Sequence, residues 1–281
     1  MGKKSKLSPT FNALKRSFNN PFRDNTKHII VHTAHHKVGT SWFVCVLRHI
    51  GEEFGLPFVK NDISQLPKAR PAIFFQNRIN VRPASFSSYR GSHMIRDPRD
   101  IVLSAYNYHL WTDEKWVNKP IKDLPADMSK VWSLLPINQI KDMTYKEYLN
   151  SLSREEGILA EMKRVSTTTI KEIVEWNYLD PNIIEFKYED IMQNEDDVFR
   201  KLFTHYGFKE DDVEKAVKVA EKCSFNKRSK REVGEVDNKS HLRSGKLRQW
   251  EEEYNADHVA CFKELHGQDL IHLGYEKDLN W

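Results

Sequence analysis

The chain has 281 residues, of which 39% are hydrophobic and 30% are charged. This composition is typical of a globular protein with a buried core, and it excludes a fibrous or a disordered chain. The 44 basic and 40 acidic residues leave a formal net charge of +4. Such a small excess does not indicate nucleic-acid binding, but it suits an anionic ligand.

The three cysteines, Cys45, Cys223 and Cys261, lie far apart and form neither a CxxC pair nor a cluster at zinc spacing. The sequence therefore predicts no disulfide framework and no structural metal site, and a reducing compartment fits best. The first 20 residues are basic and polar, without the apolar run of a secretory signal. No stretch has the length of a membrane span. We therefore expect a cytoplasmic protein.

Short apolar strands alternate with helical patterns along the chain, and no internal repeat is present. Residues 1–26 are predicted to form a basic N-terminal arm, and residues 27–281 a single domain. The predicted strands span 28–34, 72–76, 92–96 and 183–188, with a further strand before Asp62. The predicted helices span 41–50, 98–108, 145–152, 155–177, 195–206, 211–222 and 247–265. This alternation predicts a parallel sheet covered on both faces, with ligands at the carboxyl ends of the strands.

Two segments lack a regular pattern. Segment 111–143 is rich in proline, tryptophan and methionine, and it is predicted to fold over a site as a lid. Segment 227–246 is very basic and polar, and it is predicted to be a loop that orders around an anion or stays mobile.

The sequence HHKVGTSW, residues 35–42, follows the first strand and opens a helix. Unpaired N–H groups and a partial positive charge make a helix N-terminus a binding site for phosphate-like anions. Gly39 allows close approach of the backbone, Thr40 and Ser41 add hydroxyl donors, and Lys37 adds a positive charge. The loop that contains Val38 is therefore predicted to bind an anion, or else it is an ordinary strand–turn–helix. It lacks the order GxxxxGK[ST] of a Walker A loop.

A second strand-to-helix turn begins at Arg96. Asp97 is a good N-cap, and Pro98 suits the first helical position. Arg96 at the strand end can donate two hydrogen bonds to an anion above the sheet, and Ser104 follows two helical turns later. Alternatively, Arg96 pairs with a neighbouring carboxylate and Ser104 is a surface residue.

The two motifs together resemble the cytosolic-type sulfotransferases. Lys-x-Gly-Thr-[Ser/Thr]-Trp after the first strand is similar to the family's 5′-phosphosulfate loop, and Arg-x-Pro-x-Asp-x(3)-Ser is similar to its 3′-phosphate motif. The resemblance implies that Lys37 contacts the bridging and leaving-group oxygens of 3′-phosphoadenosine 5′-phosphosulfate (PAPS). It implies that Trp42 lies against adenine, and that Arg96 and Ser104 bind the 3′-phosphate.

A late segment extends the resemblance. Residues 241–245 and the following Trp250 resemble the family's Arg-Lys-Gly…Trp element, which closes over the 3′-phosphate. The implied contacts come from Leu242, Arg243, Ser244 and Gly245. Ser244 stands in place of the family's lysine, which removes one charge from the predicted site.

Two further elements resemble the adenine side of the family's site. Tyr188 in FKYED resembles the adenine-side tyrosine, and Cys223 to Phe225 resembles a Thr-Ser-Phe wall with cysteine for threonine. The alternative for Tyr188 and Phe225 is packing in the core.

The catalytic base does not follow from the resemblance. In the animal enzymes it is a histidine in a Lys-Thr-His element, and the equivalent stretch here, FQNRIN at 75–80, contains no histidine. His109 is the first substitute, because imidazole titrates in a useful range and the residue follows Ser104 closely. Its alternative is a surface or helix-capping role. Asp62, His35, His36 and Glu114 are the other candidates.

The sequence thus predicts a single three-layer α/β domain with a central parallel sheet of about five strands, the P-loop nucleotide-kinase-like fold of sulfotransferases. The predicted activity is PAPS-dependent sulfation of a hydroxyl or amine on a small, apolar or aromatic acceptor, with no metal required. The alternatives are a P-loop nucleotide kinase and a PAPS- or PAP-binding protein without turnover. Monomer and dimer both stay open.

Overall fold

A parallel sheet of five short strands organises the computed structural model, which describes residues 21–23, 28–68, 71–78 and 81–281. The strands are β1 (Ile29–Thr33), β2 (Phe58–Lys60), β3 (Ala72–Gln76), β4 (Tyr89–Ile95) and β5 (Ile183–Lys187). Their order is β2-β3-β1-β4-β5, and every neighbouring pair is parallel. The predicted five-stranded parallel sheet is confirmed. All five carboxyl ends lie at one edge of the sheet.

Twelve α-helices surround the sheet in the part of the chain that is described. In chain order they are α1 (Thr40–Phe54), α2 (Pro98–His109), α3 (Ile137–Ile140), α4 (Tyr145–Ser151), α5 (Arg154–Val165), α6 (Lys171–Val174), α7 (Tyr188–Gln193), α8 (Glu195–His205), α9 (Glu210–Ala220), α10 (Phe225–Ser229), α11 (Trp250–Glu253) and α12 (Ala256–His272). Short 3₁₀ segments span Ile63–Gln65, Pro83–Ser85, Ile121–Asp123, Ala126–Trp132 and Glu221–Cys223. None of the described helices combines the length and apolarity needed to cross a lipid bilayer.

Side chains of alternate residues in the strands contact helices on opposite faces of the sheet, as period-two alternation requires. On one face, the ring of His32 in β1 stacks on Phe43 of α1 at 4.2 Å between centroids, and Phe43 contacts Phe199 of α8. On the other face, His93 of β4 stacks on Trp176 at 4.1 Å, just after α6. The sheet therefore lies between two helical layers.

The predicted helix 155–177 is interrupted by a π-helical turn, Ser166–Ile170. The turn falls on the run Ser-Thr-Thr-Thr, whose hydroxyls bond to carbonyls of the preceding turn. Ser166 Oγ donates to the Met162 carbonyl at 2.7 Å, and Thr167 Oγ1 donates to the Arg164 carbonyl at 2.9 Å. Such bonds compete with the regular helical pattern and displace it.

The predicted helix 247–265 is also wrong in its bounds, because α11 ends at Glu253 and α12 begins at Ala256. Asn255 separates them as the N-cap of α12. Its side chain accepts a hydrogen bond from the His258 backbone, and the His258 ring accepts one from the Asn255 backbone. This reciprocal cap stabilises a new helix start inside a continuous helical pattern.

Segment 111–143, predicted to be a lid, is anchored to the core by a few buried side chains. Ile121, Trp132 and Ile140 are buried in one hydrophobic cluster with Tyr145 of α4. Removing them from water stabilises the fold by roughly 25 cal/mol per Å² of apolar surface. Only Glu114 from this segment lines the cavity described below.

The predicted N-terminal arm lies mostly outside the described residues. Its residues 21–23 contact the domain: Phe22 is 1% exposed and pairs with Phe208, and Arg23 Nε donates to the Phe208 carbonyl at 2.9 Å.

The structure corrects the cysteine prediction, because Cys45 of α1 forms a disulfide with Cys223. Their Cα atoms lie 5.9 Å apart, although 178 residues separate them in the sequence. Residues that are far apart in a sequence can be close together in the fold. For this reason, the wide spacing of the cysteines led to the wrong prediction that they form no disulfide. Cys261 is free. Disulfides are typical of oxidising environments, so this pairing does not support the predicted reducing compartment.

Cys45→Ser should lower the free energy of unfolding of the oxidised protein by about 2–5 kcal/mol, because the disulfide closes a very long loop in the unfolded chain. The measurement is urea unfolding with and without a dithiol reductant. Reductant should destabilise the wild type to a similar extent and leave the variant unchanged. The denatured, unreduced wild type should titrate one thiol, and a count of three would contradict the disulfide.

Candidate functional site

A cavity of about 370 Å³ opens at the carboxyl edge of the sheet. A residue at or just after the end of each strand lines it, and these are Lys37, Lys60, Asn77, Arg96 and Tyr188. Three of these five side chains are cationic at their usual pKa values. The predicted position of the site is therefore the observed one, and its lining favours an anionic ligand.

The turn between β1 and α1 depends on two residues in the left-handed region, Lys37 with φ 66° and Gly39 with φ 93°. Thr40 Oγ1 donates to the His35 carbonyl at 2.8 Å and closes the turn. A Cβ at position 39 would lie 3.1 Å from both the Met94 and the Tyr188 side chains. Glycine is thus required here for its conformation and for space. The exposed Ser41 and the turn's backbone face the cavity, while the side chain of Val38 is fully buried.

Lys37 is held in a desolvated position. Its Nζ lies 3.7 Å from the centroid of the Tyr108 ring, and no ion pair joins it to a described carboxylate. Burial, reinforced by the charge of Arg96, lowers the pKa of Lys37 from its usual value near 10.5 to about 7. An anion in the cavity would stabilise the ammonium form and raise this pKa again.

Arg96 has hydrogen-bonding capacity to spare. Its guanidinium lies 4.7 Å from the Tyr188 ring centroid, and it donates only weakly, to the Lys37 carbonyl at 3.4 Å and to Asp100 at 3.5 Å. Its buried Nε has no partner within the described ranges. The alternative prediction, that Arg96 pairs with a neighbouring carboxylate, therefore holds only in part, through the weak contact with Asp100. Ser104 lines the same cavity, so α2 brings the two predicted residues together.

The late segment closes the cavity from the other side. Leu242, Arg243, Ser244 and Gly245 all line it. Gln249 holds this segment, because its Oε1 accepts from Arg243 Nη1 at 2.6 Å and from Ser244 Oγ at 3.2 Å.

An apolar wall lies beside these cations. Trp42, Tyr188, Cys223 and Phe225 all line the cavity and are each at most 9% exposed. The rings of Trp42 and Tyr188 meet edge to face at 6.0 Å. Phe225 packs directly on Gly245, where an added Cβ would lie 3.0 Å from the ring. Both predicted roles, wall of a site and part of a core, are thus compatible with this packing.

The base candidates occupy different environments. His109 is fully buried and does not line the cavity, which corrects the prediction that it contacts an acceptor directly. Both of its ring nitrogens have partners: Nδ1 contacts Glu161 at 3.1 Å and Nε2 contacts His36 Nε2 at 3.3 Å. His36 itself lines the cavity. The planes of the two rings are nearly parallel, at 5° to each other, and their centroids lie 5.4 Å apart, which suits an in-plane contact between the two Nε2 atoms.

The other three candidates for the base differ in their burial and in whether they line the cavity. His35 is buried beneath the turn, between Glu172 and His93. Asp62 is exposed and caps a 3₁₀ turn through Ser64, away from the cavity. Glu114 lines the cavity and accepts hydrogen bonds from Tyr108 at 2.9 Å and Trp116 at 2.6 Å.

The sequence analysis missed several residues of the cavity, notably Lys60, Asn77, Tyr108, Arg228 and His241. Arg228 has a buried Nη1 without a partner among the residues described. Lys60 and Asn77 follow strand ends, so the strand-end rule would have found them. Nothing local marks Tyr108 or His241, because the fold brings their rings within 4.9 Å from distant segments.

Residues 92–274 match the family described as the sulfotransferase domain. This match spans more than half of the chain. The chain belongs to this family. The enzyme class that the motifs imply, a PAPS-dependent sulfotransferase, is confirmed by this membership. The matched range contains Arg96, Ser104 and the late segment but not the turn at Lys37, whose role rests on the geometry above.

Solved structures of sulfotransferases share the fold. Mouse sulfotransferase SULT7A1 complexed with PAP is 18% identical, with a TM-score of 0.53, covering 88% of this chain and 86% of that one. Retinol dehydratase in complex with androsterone and inactive cofactor PAP is 13% identical, with a TM-score of 0.52, covering 86% of this chain and 80% of that one. Retinol dehydratase in complex with retinol and PAP is 13% identical, with a TM-score of 0.52, covering 90% of this chain and 83% of that one. The sequence has no significant match among curated proteins.

Gly39→Ala should destabilise the sulfotransferase fold by at least about 1 kcal/mol more than Gly234→Ala, since overpacking adds to backbone strain. Gly234 has a similar φ of 102° but nothing within 4 Å of an added Cβ, so it isolates the conformational part. Chemical unfolding of both variants measures the difference. Equal losses would mean that Met94 and Tyr188 do not crowd position 39.

Proposed function

We propose that the cavity binds PAPS and that the protein transfers its sulfuryl group to a hydroxyl or amine of a small apolar or aromatic acceptor. The observation that carries the proposal is the joint lining of one cavity by Lys37, the α1 N-terminus, Arg96 and Ser104. PAPS carries anionic groups at the 5′ and 3′ positions of its ribose, and the cavity offers several cations, among them Lys37, Arg96 and Arg243, together with an apolar wall for the adenine. A cytoplasmic location is part of this proposal, and it requires the Cys45–Cys223 disulfide to persist in a reducing compartment, where such bonds are rare.

Unsatisfied donors support the fit of an anionic nucleotide. Arg96 Nε, Arg228 Nη1 and Trp42 Nε1 are buried without hydrogen-bond partners among the described residues, and all three residues line the cavity. Leaving a buried donor unpaired costs about 1–3 kcal/mol, more for a charged group. A phosphate or a purine edge would satisfy these donors.

At the 5′ end, Lys37 and the N–H groups of the turn hold the phosphosulfate. Lys37 stabilises negative charge as it develops on the leaving phosphate oxygen, and preorganised donors of this kind are commonly worth about 100-fold or more in rate. Thr40 and Ser41 complete the turn at the N-terminus of α1. These residues supply the positive field of the reaction, so the proposal includes no metal ion.

At the other end, Arg96, Ser104 and Arg243 bind the 3′-phosphate. The adenine lies along the wall made by Trp42, Tyr188, Cys223 and Phe225. The acceptor occupies the part of the cavity next to Lys37, between His36, Tyr108, Glu114, His241 and Asn77. Aromatic rings on this side favour an acceptor with an apolar or aromatic body. Retinol dehydratase, one of the proteins with a similar fold, has been solved in complex with such molecules, androsterone and retinol.

Ser104→Ala tests the 3′-phosphate site. A hydrogen bond to a charged group is worth about 1.5–3 kcal/mol, so the variant should bind PAP about 10- to 100-fold more weakly. Its affinity for AMP, which lacks the 3′-phosphate, should not change. Calorimetric titration of both nucleotides measures this. The wild type should prefer PAP to ATP, and equal losses for PAP and AMP in the variant would contradict the assignment.

Lys37 should make nucleotide affinity depend on pH. Its pKa is about 7 in the free protein, and bound phosphate raises it, so the complex holds a proton that the free protein has lost above pH 7. At pH 8, PAP binding should take up close to one proton, and affinity should fall by up to about tenfold per pH unit toward pH 9. Calorimetry in buffers of different ionisation enthalpy measures the uptake.

Lys37→Met is the control for this measurement, because it keeps the length of the side chain and removes the titrating group. The variant should show no proton uptake at pH 8 and a flat affinity profile between pH 7.5 and 9. An unchanged uptake in the variant would assign the proton to another group.

A further inference from the structure

We propose that His36 is the catalytic base and that His109 and Glu161 position it and stabilise its charged form. The three side chains form one hydrogen-bonded chain that runs from the buried Glu161 to the cavity wall. This inference rests on the proposed function, because it assigns a role within sulfuryl transfer. The stretch 75–80 lacks the histidine that is the base in the animal enzymes. We infer that His36, in the turn that binds the donor, takes this role instead.

Glu161 anchors the chain as an ionised, fully hydrogen-bonded carboxylate. Arg164 donates to its Oε1 through Nε at 2.8 Å and Nη2 at 2.6 Å. Tyr145 and His109 contact its Oε2 at 2.8 and 3.1 Å. Burial would raise the pKa of Glu161, but the charge of Arg164 and the hydrogen bonds from His109 and Arg164 outweigh burial and lower it to about 2. Glu161 is therefore an acceptor at neutral pH.

The anchor determines the tautomers of both histidines. Because Glu161 only accepts, His109 donates from Nδ1, and its Nε2 is left as an acceptor. The 3.3 Å contact between the two Nε2 atoms then requires His36 to donate from Nε2. His36 Nδ1 is consequently unprotonated. It forms no hydrogen bond with any residue in the described ranges, and His36 lines the cavity.

This arrangement makes His36 Nδ1 available to the acceptor. The acceptor oxygen forms a bond to sulfur as the bond from sulfur to the 5′-phosphate oxygen breaks, and its proton moves to His36 Nδ1. PAP leaves with the electron pair, and the proton later passes to solvent. Protonated His36 keeps its donation from Nε2 to His109, and Glu161 stabilises the positive charge through His109.

The charges around His36 keep it neutral before the reaction. Burial, followed by the nearby His109, Lys37, Arg164 and Arg78, lowers the pKa of His36 well below its usual range. Tyr108 and His109 face it from α2, Glu161 and Arg164 from α5, and Glu114 and His241 lie on the same cavity. Bound PAPS brings negative charge beside Lys37 and His36, which opposes these cations and raises the pKa of His36 toward a useful value.

His36 also suits the role better than Glu114. Glu114 lines the cavity, but Tyr108 and Trp116 both donate to its carboxylate. These hydrogen bonds occupy both carboxylate oxygens, one of which would have to take the proton of the acceptor. Asp62 is exposed and lies away from the cavity.

The first test needs no acceptor. Long-range ¹H–¹⁵N NMR of histidine-labelled protein, free and saturated with PAP, should show His36 protonated at Nε2 and His109 protonated at Nδ1. His36→Gln and His109→Gln assign the two rings. A neutral His36 that carries its proton at Nδ1 in the PAP complex would overturn the proposal. Failure to bind PAP at all would instead contradict the proposed function.

The second test uses single-turnover sulfuryl transfer from labelled PAPS to a series of phenols, from un-ionised to fully ionised at pH 7. His36→Gln should slow transfer to un-ionised phenols by about 10²- to 10⁴-fold, and the loss should shrink steadily as the phenol ionises. PAP affinity should stay within about threefold of wild type. His109→Gln should show the same trend with a smaller loss, and Asp62→Asn should match the wild type.

A loss that is the same for all phenols would overturn the role of His36 as base, since an ionised acceptor has no proton to remove. An unimpaired His36→Gln variant would do so as well, and Glu114→Gln, run in parallel, would show whether the carboxylate is the base. If the wild type binds PAP but sulfates no phenol, the proposed acceptor class is wrong, and the NMR measurement still decides the state of His36.

Discussion

The turn between β1 and α1 is the constraint on which the site depends. Two residues with a left-handed backbone conformation, Lys37 and Gly39, turn the chain sharply. Consecutive side chains therefore enter different parts of the structure. His35 enters the layer beneath the turn, His36 and Lys37 face the cavity, and Val38 enters the core. A left-handed lysine carries a conformational cost of about 1–2 kcal/mol. The fold accepts this cost at a position where a cation must meet the end of a helix.

The loss of water around cations is the second theme, and it explains why the cavity favours an anion. Lys37, Arg96 and Arg228 share one cavity, and each is either shifted in pKa or short of hydrogen-bond partners. In water such groups would be solvated. In the protein, a bound anion would replace the water that these cations have lost. In the proposed reaction, binding energy and catalytic charge stabilisation therefore come from the same set of groups. The disulfide between Cys45 and Cys223 joins α1, which follows the turn, to the apolar wall of this cavity.

Most of the fold, and most of the residues that line the cavity on its proposed nucleotide side, could be predicted from the sequence for physical reasons. Strand ends, the cap at Asp97 and the glycine at 39 are local features, and local features leave a local signature. The misjudged features all depend on tertiary contact. The disulfide joins residues from distant parts of the chain, the π turn arises from competing threonine hydroxyls, and Trp132 is in the core because of its neighbours. His109 was the first candidate for the base, and its burial behind His36 could not be predicted from the sequence.

Two hydrogen-bonded chains of histidines begin in the turn, one at His35 and the other at His36. Their comparison shows why only the chain from His36 suits catalysis. His35 contacts His93, which contacts Glu185 at 2.6 Å. Burial raises the pKa of Glu185 to about 7, so this chain ends in a carboxylate that is readily protonated, and His35 does not reach the cavity. The chain from His36 ends in Glu161, which Arg164 keeps ionised. A base is effective when its charged form has a stable counter-charge, and among these two chains only the one from His36 joins such a counter-charge to the cavity.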